Sequence, residues 1–317
     1  MNTSITRTTS RAALATRKPM AAADVTKAFF ARRAPSTIIA YQFDLKLLEA
    51  WLGIDAPEAG INALAEYLFA SNPGTLNALL MEWVDEQTKA GLAPYTINRR
   101  LTAVRSLVKL GRTLGVITWA LDVQGIRGAQ GIRDMRGPVA SDIKKLFAAA
   151  QRMGAMQLSI MHLLYTRGLR SIEVRELRLE HLKLERDEVL IRGKGKTGLS
   201  PITISRSTTH ALQIHLAKRG NAPGFVFTGW SDPESRVSHR WLWTTVKRIG
   251  KAAGVAVRPH GLRHSAITAV LDATDGNVRE VQKFSRHKNP AVLLNHYDDA
   301  RQDIGGKLTR LLADEPE

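Results

Sequence analysis

The sequence predicts a mainly α-helical protein with one small β-hairpin or sheet, an α+β chain in two parts. Three observations predict it. Helical apolar spacing recurs from about Asp24 to residue 120, and it returns after residue 140. A single stretch within that second part, "EVLIRGKGKTGLSPITIS", switches to a period of two. With 317 residues, 44% of them hydrophobic, the chain is long enough for two domains with separate cores. Its composition is that of a folded chain.

In chain order, the first residues "MNTSITRTTSRAALATRKPM" carry Arg and Thr but no acid, and residues 1–23 are expected to be a flexible basic arm. "STIIAYQFDLKLLEAWLG" places Ile39, Phe43, Leu47 and Trp51 at four-residue spacing, predicting a helix that buries this stripe and stops at Gly53. "NALAEYLFA" and "TLNALLMEWVDEQTKAG" continue the pattern. "APYTINRRLTAVRSLVKLGRTLG" gives a stripe of Ile97, Leu101, Val104, Leu107 and Val108, leaving Arg99, Arg100, Arg105 and Lys109 available to phosphate. Residues 24–120 therefore read as a bundle of four or five helices.

Residues 121–139, "LDVQGIRGAQGIRDMRGPV", hold four glycines, a proline and three arginines, a basic linker. A second domain, 140–317, opens with Ser141 and Asp142 as cap before "IKKLFAAAQRMG". Helices are expected through "LSIMHLLYTRG" and "SIEVRELRLEHL". The hairpin follows, with apolar Val189 and Ile191, a Gly and Lys turn, then Ile202 and Ile204, and a third strand can join it. Helices resume from about Thr208.

Lys and Arg outnumber Asp and Glu by 46 to 29, a formal charge of +17. That excess suits a polyanion, nucleic acid ahead of an acidic membrane. Zero cysteines exclude disulfides and thiolate metal sites. No apolar run approaches the roughly 20 residues that span a bilayer, so no membrane association is expected.

Four separated clusters could carry chemistry. In "YTRGLRSIEVREL", Arg170 stands at a helix start with Glu173 one turn on; an arginine there offers a planar fork to phosphate. The turn "RGKGKTG" offers Lys194 and Lys196, which spacing does not separate. In "RPHGLRHSAIT", His260 and His264 have metal-pair spacing, but Gly261 stands where a zincin has its glutamate and Arg263 would repel a dication. His260 and Arg263 suit an anion clamp instead, and no metal or other cofactor is expected. The last cluster, "FSRHKNPAVLLNHYDDARQDIGGKLTRLL", holds His287 and Tyr297.

Arg, Lys, His-x-x-Arg, His and Tyr in this order resemble the tyrosine recombinase family, also called phage integrases, over nearly the whole chain. "RGLRSIEV" and "HGLRHS" look like its two arginine boxes, and "SRHKNPAVLLNHYDD" like its histidine and nucleophile box. The N-terminal helices resemble its core-binding domain. The resemblance implies a C-shaped clamp of helical core-binding and catalytic domains around DNA. Two departures stand out. The family's tyrosine commonly follows the last histidine by nine residues, a place held here by His296, and Arg286 replaces a usual glycine.

The resemblance implies that Tyr297 attacks DNA to give a 3′-phosphotyrosyl link, with Arg170 and Arg263 balancing the phosphate. Lys194, favoured over Lys196 by its distance from Arg170, would protonate the leaving 5′-oxygen. His260 would act in proton transfer, His287 would hydrogen-bond a phosphate oxygen, and Glu173 would orient Arg170 or His260. DNA contacts are expected from Arg99, Arg100, Arg105, Lys109 and Lys196. The partners implied are double-stranded DNA with paired inverted-repeat core sites and a homotetramer on two sites, monomeric or weakly dimeric off DNA. An accessory directionality protein and a bacterial cytoplasmic location at the nucleoid are also consistent with the resemblance. Rival readings are a type IB topoisomerase and a DNA-binding protein with vestigial catalytic residues.

Overall fold

The computed structural model describes residues 20–31, 33–54, 60–126, 137–193, 198–229, 232–291 and 293. The chain divides into two compact units, residues 1–133 and 134–317.

In the first unit five helices are described: α1 (Ala22–Ala31), α2 (Pro35–Trp51), α3 (Ile61–Ala70), α4 (Pro73–Lys89) and α5 (Pro94–Thr113). Proline opens α2, α4 and α5, where its missing N–H costs no hydrogen bond. Asn72 caps α4 by accepting from the Gly74 and Thr75 amides. The predicted stripe of α5 is buried as read, with Ile97, Leu101, Val104 and Leu107 at the centre of the core.

Helix α2 departs from its expected face. Ile39 and Phe43 are 69% and 58% exposed, while Asp44, Leu45, Leu48 and Glu49 are buried. The reason is a charge pair. Asp44 has no exposed side chain surface and accepts from Arg99 of α5 at 2.5 Å through Oδ2, so the inward face is rotated to Leu45 and Leu48 with a partly paired acid beside them. Burial pushes the Asp44 carboxyl up, opposed by Arg99 and Arg100. Residues 121–126, read as the head of the linker, lie against α5: the Asn98 side chain accepts from Ile126 N–H at 2.9 Å and donates to its carbonyl at 3.2 Å.

The second unit contains α6 (Ala140–Met153), α7 (Ala155–Met161), α8 (Ser171–Arg175), β1 (Leu182–Lys183), β2 (Glu188–Arg192), β3 (Leu199–Thr203), α9 (Arg206–Arg219), α10 (His239–Ala253), α11 (Pro259–Ala273) and α12 (Val278–Ser285). The sheet is antiparallel in the order β1-β2-β3, with Val189 opposite Ile202 and Ile191 opposite Ser200. Pro201 sits on the edge strand β3, where a missing donor is tolerated. Helix α6 packs against α7 and α10, and α7 against α9, around one apolar core.

Two expectations are corrected here. Helix α6 begins after Val139 with no side-chain cap, and Asp142 lies inside the first turn paired to Lys145 at 2.9 Å. The helix expected through "SIEVRELRLEHL" ends at Arg175, because Leu177 and Leu179 exchange backbone hydrogen bonds with Val226 and Gly224 at 2.8 and 3.0 Å. Those are the groups a continuing helix would have used. Among the described residues no helix is long and apolar enough to cross a membrane.

Because Asp44 is sealed and Arg99 is not, removing the arginine strands the charge. Arg99→Ala is expected to destabilise the protein by about 3 kcal/mol, and Asp44→Asn by clearly less. Urea unfolding of the two variants at neutral pH checks the order; a larger loss for Asp44→Asn would contradict it.

Candidate active site

Three chain segments of the second unit converge. The first follows α7, where one π-helical turn, His162–Thr166, leads into Arg167, Gly168 and Leu169. Gly168 has φ of +62°, and a Cβ there would lie 3.1 Å from the Phe284 ring, so both backbone and space call for glycine. Arg170 follows at the start of α8. The second segment is the start of α11, with His260, Gly261 and Arg263. The third is the end of α12, with Phe284, Ser285, Arg286 and His287.

Arg263 joins all three. Its side chain is 1% exposed, and its guanidinium donates to the carbonyls of Gly168 and Ser285. Beside it the Arg167 guanidinium donates to the Phe284 carbonyl at 2.9 Å and lies 5.1 Å from that ring's centre. Residues 137–139 close the far side. A Cβ on Gly137 would fall 1.9 Å from the Gly261 carbonyl oxygen, and Ser265 Oγ donates to the Pro138 carbonyl at 2.6 Å.

One buried carboxylate answers these cations. Glu173 Oε1 accepts from Arg170 Nη1 at 3.0 Å, and Oε2 accepts from the Arg170 backbone N–H at 2.7 Å and from Arg286 Nη2 at 2.7 Å. Glu173 thus orients Arg170, one of the two partners expected of it; the other group it holds is Arg286. Arg286 caps α12 in a left-handed conformation, φ +59°, which costs a non-glycine residue roughly 1–2 kcal/mol. The usual glycine at this place is thereby explained, and the ion pair to Glu173 offsets the strain of the arginine.

The electrostatics follow from the crowding. His260 lies at the surface end of the cluster, and its pKa is pushed down to about 4, first by desolvation and then by Arg263, His264, Arg258 and Arg170. His287, whose Nδ1 is 2.9 Å from Ser285 Oγ, is likewise pushed down to about 4 by burial and by Arg263, Arg170, Arg286 and His260. Burial brings Arg167 down to about 10, helped by Arg286 and opposed by Glu173. Both imidazoles are therefore neutral at pH 7, and the arginines keep their charge. His264 points into the fold, 2% exposed, with Nδ1 3.4 Å from Thr268 Oγ1.

Of the residues read from the sequence, Arg170, Glu173, His260, Arg263 and His287 come together. Lys194, Lys196, Tyr297 and the tail beyond it lie outside the described residues. In the first unit, Arg99 is paired to Asp44, Arg100 donates to Gln87 Oε1 at 2.7 Å, and Arg105 is partly buried with its pKa lowered by burial. Lys109 is exposed. Sequence reasoning missed Arg167 and the pairing of Arg286; the only signal for either was an extra arginine beside each box.

Arginines and neutral histidines clustered in this way, with Arg167 and Arg263 held by backbone carbonyls, have the chemistry to receive a phosphodiester. Residues 139–303 match the model of the phage integrase family. A tyrosine recombinase of Synechococcus elongatus is 38% identical over 293 residues, covering 89% of this chain and 90% of the relative. One from Synechocystis is 32% identical over 293 residues, covering 89% and 92%. Among solved structures, the XerH site-specific recombinase bound to its difH substrate aligns with a TM-score of 0.65 at 16% identity, covering 95% of this chain and 86% of that one. A lambda integrase fragment, residues 75–356, bound as a dimer to a core site aligns at 0.64 with 17% identity, covering 89% and 95%. The chain belongs to the phage integrase family, the tyrosine recombinases. It is an enzyme of site-specific DNA recombination.

The depressed histidine values carry a sign. The unfolded chain takes up protons near the ordinary 6.5 and the folded site only near 4, so stability is lost as pH falls between them. A phosphate anion reverses the bias by favouring imidazolium. Ring NMR titration is expected to place both midpoints below pH 5 in the free protein and to move them upward when DNA binds. Midpoints near 6.5 without DNA would contradict the cation field.

Proposed function

We propose that the protein cleaves and rejoins double-stranded DNA at paired inverted-repeat core sites through a 3′-phosphotyrosyl intermediate on Tyr297. The observation that carries this is the convergence of Arg170, His260, Arg263 and His287 on segments tied together by the Arg263 guanidinium. A phenol with pKa about 10 is mostly neutral at pH 7 and attacks only as its proton leaves. A neutral His260 can receive that proton, and the bound phosphate raises its basicity as the reaction needs. Arg170 and Arg263 oppose the charge that grows on the non-bridging oxygens, and His287 hydrogen-bonds one of them. Loss of one such donor costs roughly 3 kcal/mol, about a hundredfold in rate.

Lys194 is proposed as the general acid for the 5′-oxygen, its pKa lowered by the surrounding cations. The covalent link retains the phosphodiester's free energy, so rejoining to a new strand needs no ATP, and no metal is required.

In this proposal residues 24–120 are a core-binding domain and 140–317 the catalytic domain, both contacting the duplex. Lys109, exposed on α5, would meet phosphate together with Arg100, Arg105 and Lys196, and Arg99 would offer its second terminal nitrogen while keeping its bond to Asp44. Four protomers on two sites would form the recombining assembly, with residues 307–317 packing into a neighbour. An accessory protein that sets direction, a mobile-element origin and a place at the nucleoid fit the same reading. A type IB topoisomerase shares the chemistry, but the relatives named tyrosine recombinases favour strand exchange.

Tyr297→Phe is expected to bind DNA normally and to form no covalent complex on a nicked suicide duplex; a variant that still links would transfer the role elsewhere. Lys194→Ala should cleave slowly and regain its rate on a 5′-thiolate leaving group, which needs no proton. Rescue of Lys196→Ala instead would move the acid. Removal of residues 307–317 should spare single-site binding and abolish synapsis, as gel mobility on one and two sites reports.

A further inference from the structure

We propose that Arg286 is a positioning residue of the cleavage reaction: it shares the Glu173 carboxylate with Arg170, leaving Arg170 net positive charge for the scissile phosphate, and it tethers the turn that carries His287. The proposal rests on the strand-cleavage function above.

The geometry is specific. Arg286 holds a left-handed backbone at the end of α12, where glycine would sit without strain, so the arginine side chain is kept at a cost in conformation. That side chain is 18% exposed and reaches across to Glu173 Oε2 at 2.7 Å, while Arg170 takes Oε1 at 3.0 Å. Glu173 itself is 1% exposed, so water contributes little to balancing its charge.

Charge counting gives the consequence. Arg170 and Glu173 alone form a neutral pair, and a phosphate arriving at Arg170 would meet a cation already answered by a carboxylate. With Arg286 on the second oxygen, the three groups carry one net positive charge in a site of low polarity, where it acts strongly on an anion. The same bond joins residue 286 to the segment of Arg170 across 113 positions of sequence, fixing His287 one residue on. Arg286 Nη1 also donates to the Phe284 carbonyl at 3.3 Å, the oxygen that Arg167 uses.

The test measures cleavage of a nicked suicide duplex carrying a core site selected from random-sequence DNA by the wild-type protein. Arg286→Gly suits the backbone and should keep DNA affinity and thermal midpoint while cleaving roughly tenfold slower, less than the loss of a direct donor. Arg286→Lys should restore most of that rate. On a duplex whose scissile linkage is an uncharged methylphosphonate, the gap between wild type and Arg286→Gly should largely close, because one negative charge fewer has to be balanced there. In a Glu173→Gln background, Arg286→Gly should add little further loss, since no carboxylate remains to be shared.

Equal rates for wild type and Arg286→Gly on the phosphodiester would overturn the proposal. So would an undiminished defect on the methylphosphonate, which marks a structural role, or full additivity with Glu173→Gln, which marks an action not routed through that carboxylate. A wild-type protein that forms no covalent complex would overturn the cleavage reading itself, a result distinct from all of these.

Discussion

The site depends on a charge buried where water does not reach it. Arg263 is the largest fully buried side chain among the described residues, and a bare guanidinium in such a place would be very costly. It persists because the carbonyls of Gly168 and Ser285 turn toward it. Each carbonyl is released by a local irregularity: the first by the π-helical turn and left-handed Gly168, the second by the end of α12 and left-handed Arg286. The breaks in regular structure are thus what expose acceptors to the arginine. Arg170 and His287 are positioned because their neighbours in sequence are bonded to one group.

That arrangement leaves the unit electrostatically incomplete. Among the described residues Arg167, Arg170 and Arg286 share the Glu173 carboxylate, and burial together with the surrounding arginines pushes both histidines down to about 4. Preorganised positive charge of this kind is costly in the free protein and useful when an anion arrives, because no dipole has to turn as charge develops. Folding stability is spent in advance on the interaction that speeds the reaction.

Much of this was legible in the sequence, for physical reasons that differ by element. The α5 stripe could be read because five apolar residues at helical spacing leave one possible inner face. The α2 stripe misled because apolar spacing carries no information about a partner 55 residues away: Asp44, beside buried Leu45 and Leu48, meets Arg99 there. The hairpin was visible from its period of two, whereas the break after Arg175 was not, since it is imposed by Gly224 and Val226. Arg170, Glu173, His260, Arg263 and His287 were readable from short motifs. Arg167 and Arg286 act through contacts across 117 and 113 residues, and a linear pattern shows them only as surplus cations.

The glycine-to-arginine departure at residue 286 shows how these levels connect. A left-handed turn is set by the end of α12 and the need to bring the Ser285 carbonyl to Arg263, so the backbone there is fixed before any side chain is chosen. Glycine would satisfy it without strain. An arginine occupies the same turn at a conformational cost, and within the described residues the ion pair set against that cost is the one to Glu173. The carboxylate that orients Arg170 is therefore the group that makes the unusual residue tolerable, and strain, charge balance and phosphate recognition become one coupled condition on the same few atoms.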